Sequence, residues 1–220
     1  MLDFIRIACA VPAVRVGDTA KNAEDICAYI EKADGERADI VLFPELALTG
    51  YSCQDLFFQD TLWTGVQQGI RKIADCTKNH PGVTAAVGLP VRTGMRMYNC
   101  AAVISRGKIH ALVPKTYIPN YNEFYEKRWF SSGAEVTEDL AELLGEPVPI
   151  LPRAVFRVGG TLLGVEICED MWTPLPPSTF LALNGAEVIL NLSASNETIG
   201  KRAYRRGLVQ HQSAALHCVY

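Results

Sequence analysis

No apolar run in this chain of 220 residues approaches the roughly 18 residues that a membrane-spanning helix needs, so no membrane partner is expected. The N-terminus, Met1-Leu2-Asp3-Phe4-Ile5-Arg6-Ile7, lacks the basic-then-apolar form of a secretory leader. The cysteines (Cys9, Cys27, Cys53, Cys76, Cys100, Cys168 and Cys218) include no Cys-x-x-Cys pair. Their odd number and wide spacing argue against a disulfide framework or a structural zinc site and fit free thiols in a reducing cytoplasm. Charge of one sign is also lacking: the net charge of −3 gives no sign of a non-specific binder of nucleic acid or anionic membrane. Histidine is scarce, and His80, His110, His211 and His217 stand in poor contexts for a papain-like Cys–His pair. Repeats, low-complexity tracts and interdomain linkers are absent. What is present, 49% hydrophobic and 20% charged residues, is the balance of a soluble globular domain, and residues 1–220 read as one domain with a substantial core.

Strand and helix signals alternate. Residues 4–11 read as a first strand. Asp18 or Thr19 can cap a helix with Ala23, Ile26, Cys27 and Ile30 at helical spacing. Residues 39–45, Asp-Ile-Val-Leu-Phe-Pro-Glu, read as a buried strand that stops at a proline and presents Glu45. A helix over 62–78 and a strand over 83–91 follow. Residues 97–104 and 108–115 form an expected hairpin around Ser105-Arg106-Gly107, with Lys115 at its end. A long aromatic loop carries Tyr117, Tyr121, Phe124, Tyr125, Trp129 and Phe130, a content that argues against disorder. Residues 137–144 read as a short surface helix, and Pro147, Pro149 and Pro152 as an irregular link. A second hairpin, 154–158 with 161–167 around Gly159-Gly160, ends at Cys168. A helix over 178–184, a strand over 188–192 and a helix over 201–215 lead to Cys218-Val219-Tyr220, which reads as the start of another strand. Crossover helices mixed with hairpins predict an α/β layered domain with a mixed sheet. An ending inside a strand suggests a piece of a longer chain.

Three of these strands end in groups with complementary chemistry. Glu45 is a proton acceptor, Lys115 a fixed cation and Cys168 a thiol. An ordinary thiol has a pKa near 8.5, so forming thiolate at neutral pH costs roughly 2 kcal/mol. A buried carboxylate can take that proton, and an ammonium can stabilise the oxyanion formed when sulfur attacks an amide carbonyl. A buried lysine needs partners, and Glu45 and Glu126 can hold it charged. Each residue also has a plainer reading. Cys168 can be a small buried apolar residue, Glu45 a strand terminus and Lys115 a surface lysine. Arg202, Arg205 and Arg206 read as a solvated helix face with one ion pair.

Phe43-Pro44-Glu45-Leu46 with Thr49-Gly50-Tyr51, then Lys115, then Gly164-Val165-Glu166-Ile167-Cys168-Glu169-Asp170 resemble the nitrilase (carbon–nitrogen hydrolase) superfamily in order and spacing, across essentially the whole chain. The resemblance implies a nitrilase-like α-β-β-α sandwich, homo-oligomers built by pairing sandwiches, and a triad of Glu45 as base, Lys115 as oxyanion stabiliser and Cys168 as nucleophile. The loop from Lys115 through Pro119-Asn120-Tyr121, Phe124 and Glu126 to Phe130, together with Leu48 to Leu56, is similar to the glutaminase domain of the glutamine-dependent NAD synthetase branch. That branch implies L-glutamine as substrate and Glu126 as second acid, with Glu123 as a less well matched competitor. It also implies that Tyr121, Phe124, Glu169 and Ser195 hold glutamine. Ammonia would pass to a C-terminal synthetase domain that uses ATP and magnesium to amidate nicotinic acid adenine dinucleotide. No Ser-Gly-Gly-x-Asp-Ser pyrophosphate loop occurs in these residues, so no cofactor and no metal are expected within them. The chain also stops before the last strands expected of the amidase domain, so the domain reads as C-terminally truncated.

Two other readings remain open at this point. One is a stand-alone nitrilase-family amidase acting on another small amide. The other is a truncated, non-catalytic domain that serves in assembly.

Overall fold

In a computed structural model, which describes residues 4–137 and 140–220, alternating apolar residues build two sheets that stack face to face. The first has strand order β1-β2-β3-β4-β5, formed by β1 (Ile7–Cys9), β2 (Ile40–Leu42), β3 (Thr84–Thr93), β4 (Arg96–Ser105) and β5 (Lys108–Pro114). The first three strands pair in parallel and the last two antiparallel. A small hairpin follows, β6 (Leu140–Leu143) with β7 (Glu146–Pro149). The second sheet has order β10-β9-β8, from β8 (Val155–Val158), β9 (Thr161–Ile167) and β10 (Val188–Leu192).

The period-2 alternation of the strands assigns each face. Ala86, Ala101, Val103 and Val113 of the first sheet meet Leu163, Val165, Val188 and Leu190 of the second. The opposite face of the first sheet, with Ala85, Val87, Cys100 and Ala102, packs under helices α1 (Thr19–Gly35) and α2 (Asp60–Asn79). Ala23, Ile26 and Ile30 of α1, and Val66, Ile70 and Ile73 of α2, are among the helical residues in that contact. On the far side, Leu181 of α3 (Pro177–Leu183) packs on Ile189 and Cys218. The helix α4 (Lys201–Leu216) lies outermost, with no buried residue. The layers are therefore α-β-β-α, as the resemblance implies.

The Asp18 carboxylate does cap α1, accepting from the Lys21 backbone N–H at 3.0 Å. The first strand is shorter than expected, Ile7–Cys9, and Met1 to Asp3 lie outside the described residues. The last residues contribute a single parallel bridge, Val219 to Val188. Two expectations are overturned, and the first is the helix over 137–144. Of its residues, Glu138 and Asp139 lie outside the described ones; Leu140–Leu143 form β6, which turns back through Leu144 and Gly145. Both turn residues have positive φ, 63° and 77°, the requirement of a two-residue hairpin turn. Burial of Ala141 and Leu143 with exposure of Leu140 and Glu142 follows period 2, which overrides the helix propensity of this Glu- and Leu-rich segment. Pro147 and Pro149, expected in an irregular link, sit in β7, a strand of a two-stranded ribbon that tolerates proline.

Candidate active site

The chain leaves three strands at one end of the sandwich by tightly constrained turns. After β2 the turn places Glu45, 2% exposed, ahead of Leu46 at φ 52°. After β5, the Lys115 N–H donates to Asn99 O at 2.8 Å and its carbonyl accepts from Gly133 N at 2.7 Å. After β9, Cys168 itself sits at φ 45°. Non-glycine residues at positive φ are sparsely populated and persist where surrounding structure over-determines them.

Lys115 is fully buried. Its Nζ donates to Glu45 Oε1 at 2.7 Å and to Glu126 Oε1 and Oε2 at 2.8 and 2.9 Å. Burial alone would lower the pKa of the ammonium. The two carboxylates outweigh burial and hold Lys115 above the ordinary lysine value. Burial pushes the Glu126 carboxyl up, and Lys115 pulls it back only in part. The Tyr51 hydroxyl also donates to Glu126 Oε1, at 2.7 Å. Glu45 is fixed from three sides, since it also accepts from Asn99 Nδ2 at 2.7 Å and from the Ala194 N–H at 3.1 Å. Glu123, the competitor for the second acid, is exposed, so Glu126 is the carboxylate on Lys115.

The Cys168 thiol is held well above its ordinary pKa, chiefly by burial and next by the Glu45 charge; Lys115, the Ser193 hydroxyl and the Ala194 backbone oppose this only in part. At neutral pH the group at rest is therefore a thiol within the field of a carboxylate and an ammonium. Two residues on, the Asp170 carboxyl is pushed up to about 8 by burial, against the pull of the Ile167 and Tyr117 N–H groups.

A cavity of about 270 Å³ opens on Cys168. Tyr121, Phe124, Glu126, Glu169, Trp172, Ser195 and Lys201 line it. The Tyr121 hydroxyl donates to Glu169 Oε1 at 2.8 Å. Across the cavity Lys201 donates to Asn196 Oδ1 and holds its ammonium 5.2 Å from the Trp172 ring centre. A larger neighbouring cleft, about 720 Å³, shares the Tyr121 and Glu169 wall but contains neither Cys168 nor Lys115. Asp55 anchors the aromatic loop by accepting from Arg128 Nε and Nη2, both at 2.7 Å, and from Trp129 Nε1 at 3.0 Å.

Glu45, Lys115, Glu126 and Cys168 thus share one buried cluster, and Tyr121, Phe124, Glu169 and Ser195 share the cavity above it. Arg202 and Arg206 are exposed, and Arg205 pairs with Glu197 at 3.0 Å. Sequence reasoning passed over Asn99, Asp170, Ser193 and Lys201. It also passed over Gly88, whose role is backbone approach. A Cβ there would lie 2.8 Å from Glu45 C and closer still to Pro44 O and Leu46 N. Gly88→Ala must push the Glu45 turn away. A displacement near 1 Å is expected to lower turnover by on the order of 10²-fold, with about 1–3 kcal/mol of overpacking. Steady-state kinetics and urea unfolding of the variant check both, and wild-type turnover would show that the turn yields freely.

The carbon-nitrogen hydrolase family model matches residues 6–218. Among curated relatives, the glutamine-dependent NAD(+) synthetase of Mycobacterium leprae (strain TN) is 37% identical over 218 residues, covering 98% of this chain and 32% of that protein. The enzyme of the same name from Xylella fastidiosa (strain Temecula1) is 38% identical over 214 residues, covering 97% of this chain and 36% of its own length. The chain therefore spans about a third of the length of these relatives. Among solved structures, a glutamine-dependent NAD(+) synthetase from Cytophaga hutchinsonii superposes with a TM-score of 0.83 at 29% identity, over 97% of this chain and 34% of that one. An amidase from Nesterenkonia sp. shares the fold, with a TM-score of 0.76 at 19% identity, over 97% of this chain and 73% of its own.

Proposed function

The chain belongs to the carbon–nitrogen hydrolase family, and from that premise we propose that it hydrolyses the side-chain amide of L-glutamine through a Cys168 thioester. The ammonia released would feed a NAD-forming synthetase portion of the kind its relatives' names describe. ATP and magnesium would be used by that portion and not by these residues.

The observation that carries the substrate is the pairing of Glu169 and Lys201 on the wall of the cavity that opens on Cys168. An α-amino acid presents an ammonium and a carboxylate at one end. Glu169 suits the first and Lys201 the second. Tyr121 and Ser195 supply hydrogen bonds beside them, and Phe124 covers the aliphatic stem. The side-chain amide is then directed toward the thiol.

The chemistry follows from the cluster. Glu45 takes the thiol proton as sulfur bonds to the amide carbon. The carbonyl oxygen becomes an oxyanion held by the Lys115 ammonium. Collapse of the adduct expels the amide nitrogen as ammonia, with the proton returned from Glu45. Water then loses a proton to Glu45 and attacks the thioester, and sulfur leaves as the thiol by taking that proton back from Glu45, with glutamate released. Glu126 and Tyr51 keep Lys115 charged and in place throughout.

The test is intact-mass analysis after exposure to a diazoketone analogue of glutamine. One adduct mapped to Cys168, absent in Cys168→Ala and blocked by excess glutamine, is the expected result. An adduct that glutamine fails to block would replace glutamine with another small amide, and no adduct on a folded protein would overturn the nucleophile. Glu169→Gln should keep the Tyr121 contact yet lose the charge-assisted bond to substrate. A rise in KM of roughly 10- to 100-fold with little change in kcat is expected. An unchanged KM with collapsed kcat would move Glu169 into the chemistry.

A further inference from the structure

We propose that Asp170 is a positioning residue that couples the strand ends carrying Lys115 and Cys168 and so fixes the ammonium relative to the thiol. The inference rests on the catalytic roles given to those two residues above.

The Asp170 side chain is buried, with the residue 1% exposed. Its Oδ1 accepts from the Tyr117 N–H at 2.8 Å and the Thr116 N–H at 3.1 Å. Its Oδ2 accepts from the Ile167 N–H at 3.0 Å. Thr116 and Tyr117 directly follow Lys115 at the end of β5, in the first sheet. Ile167 directly precedes Cys168 at the end of β9, in the second. One carboxylate therefore ties the two sheets together at the edge where the thiol and the ammonium meet.

Its chemistry argues for this role over simple packing. Asp170 makes no ion pair among the described residues, and a buried carboxyl group without one, its pKa raised by that burial, is an expensive way to fill space. Three backbone N–H groups converge on it from two directions, and only a carboxylate offers an acceptor oxygen to each side. An asparagine would aim its NH₂ at one of the two strand ends and break that contact. The bond to Ile167 also closes the turn around Cys168, whose φ of 45° needs such external support. On the other side of that turn, Thr173 Oγ1 donates to Asp170 O at 2.9 Å.

The test compares Asp170→Asn with wild type and Cys168→Ala in the intact protein, counting competent sites by diazoketone labelling. Per labelled site, Asp170→Asn is expected to lose on the order of 10²-fold in kcat. KM for glutamine should stay within about threefold, because the Glu169 and Lys201 ends of the cavity are untouched. If Asp170 only stabilises the fold, the variant will lose melting temperature and labelled sites but keep wild-type kcat per site, which overturns the proposal. A variant that fails to fold leaves the wild-type measurement. Amide hydrogen exchange should then show Thr116, Tyr117 and Ile167 strongly protected, and free exchange at Thr116 and Tyr117 would remove the tie. Full activity in Cys168→Ala would instead sink the catalytic reading itself. A dead Cys168→Ala beside an unimpaired Asp170→Asn would sink only the coupling.

Discussion

Lys115→Met should lower amide turnover by on the order of 10² to 10³, the usual effect of removing one donor to an oxyanion. The same substitution should reduce stability by about 3–5 kcal/mol, because it leaves buried charge without a partner. The geometry makes both effects large. Nζ is the shared donor to Glu45 and Glu126, at 2.7 and 2.8 Å, with side-chain exposures of 0% and 2% for the two acids. Without the ammonium, two carboxylates face each other in a dry site and one must hold a proton. Glu126 is the better candidate, since burial already raises it and Lys115 is what draws it down. A carboxyl whose folded pKa is raised adds stability below its unfolded value, and that stability is lost as pH rises through the folded pKa. The variant should thus be hurt less near pH 4 than near pH 8. Kinetics at saturating substrate and urea unfolding at both pH values check this. Near-normal turnover would remove Lys115 from the chemistry, and an equal stability loss at both pH values would mean that neither acid takes up a proton.

Much of this site was legible because each side chain proposed for the chemistry follows closely on the end of a strand. Glu45 follows an apolar run cut by Pro44, Lys115 ends a hairpin whose Arg106-Gly107 turn is plain, and Cys168 directly follows the second arm of the Gly159-Gly160 hairpin. What sequence does not display is which face of a short turn a polar residue takes. Glu169 and Asp170 are adjacent acids, yet one lines the cavity and the other is buried on backbone N–H groups. The single turn of 3-10 helix from Cys168 to Trp172 separates them, and it has no periodicity long enough to read. Lys201 escaped for a similar reason. As the first residue of α4 it looks like part of a polar face, while Asn196 and Trp172 bring it over the cavity. Gly88 sits within a strand, where its lack of a side chain matters only because the Glu45 turn crosses it.

Glu45→Gln is expected to cost more turnover than Lys115→Met. Burial raises the Cys168 thiol pKa well above its ordinary value, so the mechanism proposed above needs a neighbouring base for both acylation and hydrolysis of its thioester. A fall in kcat/KM of roughly 10³ to 10⁴, toward the upper end for loss of a general base, is expected at pH 7. Some of the loss is structural, because the Gln NH₂ must face Ala194 N–H or the Asn99 and Lys115 donors now held by the carboxylate. Rates are therefore to be expressed per labelled site. The pH profile separates the two contributions. Removing the Glu45 charge lets the thiol pKa fall, but burial still holds it above the ordinary range. Each unit of pH below that value multiplies the thiolate fraction about tenfold, so the residual acylation rate should climb with near-unit slope. The wild-type rate should not, because in the proposed mechanism its proton passes to Glu45 inside the complex. A Glu45→Gln variant within about tenfold of wild type and flat in pH would mean that Lys115 alone ionises the thiol, and the base would have to be sought elsewhere.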